Sequence, residues 1–228
     1  MSKKKIMIVA AHPDDEVLGC GGTIARLVEE GYEAYTLILG KGVAARYPTA
    51  GGTTEKNKHI AMLQHETQKA NKALGIKKVY SFNVPDNKFD SVPLLDIVKK
   101  IEQVKKNVRP DIIFTHYKKD LNIDHKITYE AVITASRPLE NESVKTIYSF
   151  EVLSSTEWNY PLSFSPAVFF DISSSLQKKI QAMSCYASEI REFPHPRSLK
   201  AIEINAKTWG IKVGLSTAEA FELVRSII

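Results

Sequence analysis

Lys5-Ile6-Met7-Ile8-Val9-Ala10-Ala11-His12-Pro13-Asp14-Asp15-Glu16 is the stretch on which the reading of the fold turns. Residues 5–10 form a short apolar run of the kind found in a strand buried on both faces. From Val17 onward, Val17, Leu18, Ile24, Leu27 and Val28 recur at roughly helical spacing, and Gly31 is a helix stop. Between strand and helix lies a polar turn with one imidazole and three carboxylates. In open α/β sheets the carboxyl ends of the strands are where ligands bind. His12 and Asp15, three apart across Pro13, make a partial site for Zn²⁺ or another divalent metal. Asp14, between them, could act as general base toward a water on that metal. The plainer alternative is an acidic first turn that complements the helix dipole. It accounts for Asp15 and Glu16 but not for His12.

A second stretch repeats the arrangement. Asp111-Ile112-Ile113-Phe114-Thr115-His116 is a strand, residues 117–125 form a polar turn, and a helix runs from about His125 to Ser136, stopped at Pro138. If the two turns meet at the edge of one sheet, His125 completes a His-Asp-His set with His12 and Asp15 and leaves a coordination position open for water. Asp124, Asp120 or His116 could then hydrogen-bond a ligand or carry a proton. Asp124 also suits the N-cap of its helix.

The remaining elements alternate. Strands are expected at 33–40, 78–84, 146–152 and 167–172, and helices at 57–74, 92–108, 176–188 and 199–212, with a short capped helix over 216–224. This order predicts an α/β protein with a Rossmann-like, doubly wound, mostly parallel sheet flanked by helices. The loop 41–54 follows a strand on the ligand edge and carries Arg46, either an anchor for a phosphate or sugar hydroxyl or an exposed arginine. The loop 154–166 holds Trp158 and Tyr160, whose faces could line a sugar subsite or simply pack on the surface. His195 between two prolines suits a lid or subunit contact, a structural role being the simpler reading.

The 228 residues fit one domain, 1–228, with residues 1–4 as a flexible tail. A net charge of +5, drawn largely from Lys3, Lys4 and Lys5, is compatible with anionic small substrates. No basic stripe interleaves with aromatics, which argues against a nucleic-acid partner. Cys20 and Cys185 are too few and too far apart for a disulfide framework or thiolate zinc site. No apolar run is long enough for a transmembrane segment, and the first is cut short by His12 and its acids, so a cytoplasmic location is expected.

Residues 11–16 followed by Gly19 and Gly21-Gly22-Thr23, together with Asp120-Leu121-Asn122-Ile123-Asp124-His125, resemble the PIG-L/LmbE-like family of zinc-dependent N-deacetylases. His65-Glu66, Leu74-Gly75 and Pro85-Asp86 are similar to its weaker mid-chain motifs. Ser149-Phe150-Glu151, Ser155-Thr156-Glu157-Trp158 and Phe193-Pro194-His195-Pro196-Arg197-Ser198 resemble a bacterial branch concerned with amino sugars and surface glycans. The resemblance implies removal of acetyl from an N-acetylglucosamine-type sugar, possibly nucleotide- or lipid-linked. It implies zinc on His12, Asp15 and His125, Asp14 as general base, and Arg46 facing substrate. Several relatives carry a histidine three residues before the last zinc ligand, where this chain has Asn122; an amide still donates to an oxyanion but has no charge. His116 is then expected to turn toward substrate, with Asp124 as an accessory catalytic group. Family resemblance also implies a homo-oligomer.

Competing readings are a nucleotide-binding module or oxidoreductase using Gly19, Gly21 and Gly22, a metal-binding protein without catalysis, and metal-dependent phosphoester hydrolysis. The first meets an obstacle at once: the turn carries negative charge where a pyrophosphate would sit.

Overall fold

The computed structural model describes residues 3–42 and 53–228. Its strands are β1 (Lys5–Ala10), β2 (Glu33–Gly40), β3 (Lys78–Val84), β4 (Ile112–His116), β5 (Thr146–Phe150), β6 (Val168–Asp171) and β7 (Ala218–Ser226). Its helices are α1 (Asp15–Glu29), α2 (Thr53–Ala73), α3 (Leu94–Val108), α4 (Ile123–Ala135), α5 (Leu176–Ser184) and α6 (Leu199–Lys212). The strands form one sheet in the order β3-β2-β1-β4-β5-β7-β6. β1 to β5 run parallel, while β7 is antiparallel to both β5 and β6.

The apolar run at the head of the chain now has its explanation. Along β1, Ile6 and Ile8 pack into the layer that holds α1, α2, α5 and α6, while Met7 and Val9 pack into the layer of α3 and α4. Both faces are covered from Ile6 to Ala10, so those positions are apolar, and only Lys5 at the open end of the strand is polar. On α3, Ile97, Val98, Ile101, Val104 and Val108 form the buried stripe expected of an amphipathic helix. Because β2 lies on one side of β1 and β4 on the other, the strand order reverses there. That crevice is where the two polar turns come together. Among the described residues no helix is long and apolar enough to cross a membrane.

Some expectations need correction. The stretch 216–224 is not a helix: β7 occupies it. Its Ala, Glu and Leu residues favour helix locally, but pairing with β5 and β6 and burial of Ala218, Ala220 and Phe221 override that preference. α2 starts at Thr53, earlier than expected, and α3 at Leu94, because Pro93 takes the N-cap position. α5 ends at Ser184, short of the expected 188.

α1 is kinked at Cys20, where φ is −148°. A Cβ on Gly19 would stand 2.3 Å from the Phe150 ring, and one on Gly22 2.9 Å from Ile172, so these glycines let the helix press against the sheet and the segment after β6. The kink frees backbone groups that distant side chains satisfy. Leu18 O accepts from Lys179 Nζ at 2.7 Å. The N–H groups of Gly22 and Thr23 donate to the Glu219 carboxylate at 3.0 and 2.7 Å. Lys179 and Glu219 close the arrangement as a buried ion pair at 2.6 Å.

Candidate active site

The turn after β1 is held in an unusual backbone shape. Asp14 has φ 91° and ψ −27°, a left-handed conformation that aspartate and asparagine tolerate better than most residues. Its N–H donates to Glu16 Oε2 at 3.1 Å. Glu16 Oε1 in turn accepts from Asn71 Nδ2 at 2.8 Å and Tyr186 Oη at 2.5 Å. Glu16 is therefore no surface acid serving the helix dipole. It is buried, and it ties α2 and the segment after α5 to the turn. Burial pushes its carboxyl up to about 7, against the Tyr186 hydrogen bond, which pulls it down.

Three donor atoms converge in the crevice: His12 Nδ1, Asp15 Oδ2 and His125 Nε2. Asp15 Oδ2 lies 3.5 Å from the first and 3.4 Å from the second imidazole, and also accepts from the His12 N–H at 2.7 Å. The donors of this set all lie within 4.8 Å of one another. The far nitrogen of each imidazole is held by acids of its own. His12 Nε2 sits 2.8 Å from Asp124 Oδ2 and 3.0 Å from Asp86 Oδ1. His125 Nδ1 sits 3.1 Å from Asp120 Oδ1. Asp120 is fixed by the hydroxyls of Ser155 and Thr156 and by the Asn122 N–H, and Asp124 by the N–H groups of Asn87 and Phe89. Carboxylate-anchored imidazoles aiming their remaining nitrogens at a shared carboxylate are the usual surroundings of a zinc-type ion.

The charges point the same way. Burial alone would lower the His12 pKa, but hydrogen bonds to Asp124, Asp15 and Asp86 raise it well above the ordinary value. For His125 burial is again outweighed, by the Asp15 charge and Asp120, and its pKa reaches about 9. Burial would raise Asp15, yet the His125 charge and the hydrogen bonds from His12 and His125 pull it well below the carboxylate range. Asp120 follows the same pattern through its bond to His125. So many buried acids around two imidazoles draw protons onto the rings, and a divalent cation in that place balances the same charge. The donor set thus fits a metal by its chemistry as well as its geometry. Asp120→Asn is expected to weaken metal affinity by about 10- to 100-fold, read by chelator competition, because a second-layer partner of His125 is lost.

A pocket of about 220 Å³ opens over this set, lined among others by His12, Asp14, Asp15, Asp86, Asn87, Asn122, His125, Glu189 and Arg197. Asp14 borders it without belonging to the donor set. Its burial, then the neighbouring Asp15 charge, push its carboxyl well above the ordinary range, while Arg197 pulls it down. Asn122 caps α4, its Oδ1 accepting from the Asp124 N–H at 2.8 Å, and its Nδ2 lies 3.4 Å from Asn87 Oδ1 at the pocket wall. The N-cap role considered for Asp124 therefore falls to Asn122, and Asp124 instead orients His12.

His116 does not reach the pocket. It is fully buried, its Nε2 accepts from the Ala11 N–H at 2.8 Å, and its ring stacks on His125 at 4.0 Å between centroids. Burial, then the His125 charge, depress its pKa well below the usual value, so it lies under the site as a neutral ring. This corrects the expectation that it faces substrate. Arg46 and residues 43–52 of its loop, like Met1 and Ser2 of the expected tail, lie outside the described residues. His195 accepts from the Arg197 N–H through Nδ1 at 3.1 Å and meets Trp158 edge-on.

Asp86, Glu189 and Arg197 had no role assigned from sequence. Asp86 could have been found, since Pro85-Asp86 follows β3 at the same sheet edge as the two principal turns. The glycines proposed for phosphate binding are spent on packing inside α1, and the turn before it presents carboxylates to the pocket. Both features remove the basis of a nucleotide site.

The family model described as PIG-L, GlcNAc-PI de-N-acetylase, matches residues 7–136, more than half of the chain and the part that holds the whole donor set. The chain belongs to the PIG-L family. Within PIG-L-related sequences it is 26% identical over 196 residues to diacetylchitobiose deacetylase of Thermococcus kodakarensis, covering 83% of this chain and 71% of that one. It is 27% identical over 202 residues to 4-oxalmesaconate hydratase of Pseudomonas putida, covering 82% and 74%. The fold is shared with N,N'-diacetylchitobiose deacetylase from Pyrococcus horikoshii, with a TM-score of 0.76, 21% identity, and coverage of 97% of this chain and 84% of that one. PIG-L membership agrees with the mostly parallel sheet flanked by helices.

Proposed function

We propose that the protein is a metal-dependent amide hydrolase that removes the acetyl group from an N-acetylated amino sugar of the N-acetylglucosamine type. The observation that carries this reading is the convergence of His12, Asp15 and His125 beside an Asp14 that the set does not use. A purely metal-binding protein has no need of that second carboxylate bordering the pocket. Family membership and the deacetylases among its relatives support the substrate class.

His12, Asp15 and His125 would hold the ion, zinc being the first choice for two imidazoles and one carboxylate. When bound, such an ion polarises a carbonyl and lowers the pKa of water to about 7. The protein's own groups do the rest. Asp14 takes a proton from the attacking water as its oxygen bonds to the amide carbon. Asn122 Nδ2, at the pocket wall, donates to the carbonyl oxygen as charge gathers on it. A donor of this kind is worth about 3 kcal/mol of barrier when well aimed. Asp14 then returns its proton to the nitrogen as the C–N bond breaks, leaving acetate and a free amino sugar. Arg46 is assigned to contact the sugar.

The test is acetate release from N-acetyl sugars, free, nucleotide-linked and lipid-linked, with metal content determined for each preparation. Metal-dependent release from at least one substrate is the expected result. The hydratase relative supplies a second reading, addition of water to an unsaturated acid. Hydration of such an acid, with no acetate from any sugar, would replace the first reading by the second.

A further inference from the structure

The segment joining α5 to α6, residues 185–198, is fastened at both ends. Ser188 donates to Glu66 of α2 through its hydroxyl at 2.7 Å and its N–H at 3.3 Å. Ser198 caps α6, its Oγ accepting from the Ala201 N–H at 3.1 Å. Between these anchors the segment puts Glu189 and Arg197 into the pocket wall. Arg197 is the only lysine or arginine among the described residues lining that pocket, and it faces acids. Its Nη1 donates to Glu189 Oε2 at 3.1 Å and to Asp14 Oδ2 at 3.4 Å.

This contact addresses a problem built into the site. A carboxylate next in sequence to one ligand, and bordering the same pocket, can itself be captured by a cation. Once captured it fills the position that a hydrolytic centre leaves open, and it no longer accepts a proton. A guanidinium gripping one of its oxygens, itself braced by a second carboxylate, opposes that capture.

We infer that Arg197, braced by Glu189, is a positioning residue. It holds the Asp14 carboxylate beside the His12–Asp15–His125 set and keeps it from joining as a fourth ligand. The inference rests on the reading of Asp14 as general base. It concerns the Phe193–Ser198 stretch, which the reaction as derived above does not use.

Two measurements on Arg197→Ala and Arg197→Lys test it, with melting temperatures checked against wild type. In steady-state acetate release, Arg197→Ala is expected to lose about 10- to 100-fold in kcat with KM nearly unchanged, and Arg197→Lys to fall between it and wild type. In chelator competition with Zn²⁺ alone, Arg197→Ala is expected to bind zinc more tightly than wild type. That gain disappears in the Asp14→Asn/Arg197→Ala double variant, which keeps the backbone of the turn and replaces the carboxylate by a weakly ligating amide. An unchanged kcat, or a rise in KM alone, would overturn the inference, the latter making Arg197 a substrate contact. Weaker zinc binding in a well-folded Arg197→Ala would overturn it too. Zinc competition needs no substrate, so it still decides the point if wild type releases no acetate and the deacetylase reading fails.

Discussion

Asp14→Asn is expected to lower kcat by about 10²- to 10⁴-fold while zinc stays bound, the range for loss of a well-placed general base. Asparagine is the right replacement for physical reasons. It matches aspartate in shape, and like aspartate it tolerates a backbone φ of 91° better than most residues. Its N–H still reaches Glu16, so the turn that carries Asp15 is preserved. Alanine would confound the loss of a base with a strained backbone. The measurement is kcat for acetate release with zinc content determined on the same sample. Near-normal turnover in a zinc-loaded Asp14→Asn protein would remove the base from Asp14.

His125→Ala is expected to abolish both stable metal binding and turnover. His125 is the one member of the donor set supplied by α4, and Asp120, with Ser155, Thr156 and Asn122 fixing it, stands behind its ring. Two remaining donors from a single turn do not make a closed site for zinc. The ring also stacks on His116, so alanine leaves a gap. His125→Gln, which fills more of it, separates loss of the ligand from loss of packing. Zinc content after dialysis and acetate release are measured for both variants. Full zinc occupancy in either would mean that the third ligand is another residue.

Much of this was legible in the sequence, because strand-turn-helix units announce themselves locally. The apolar run of β1 and the polar turn after it are contiguous, as are β4 and the turn carrying Asn122 to His125. Reading them together needed only the rule that parallel strands present their carboxyl ends on one edge. What could not be read depends on contacts between distant segments. β7 has a helix-forming composition, and only its partners β5 and β6 make it a strand. His116 ends its strand in the same way as a ligand would. Its inward turn, accepting from the Ala11 N–H, follows from how closely β1 and β4 pack. Arg197 stands 183 residues from Asp14, and no local pattern ties them.

The cap on the second half of α1 bears on how the protein is made. The donor set is complete by His125, yet the carboxylate that receives the Gly22 N–H comes from Glu219, 197 residues further along the chain. At about 5–20 residues per second, a ribosome takes on the order of ten seconds to extend the chain from His125 to Glu219. During that interval the helix that carries Asp15 lacks its cap, and Lys179 lacks its counter-charge. A nascent chain thus carries every residue of the donor set before it can hold them still, and the helix bearing Asp15 gains its last anchor only when β7 joins the sheet.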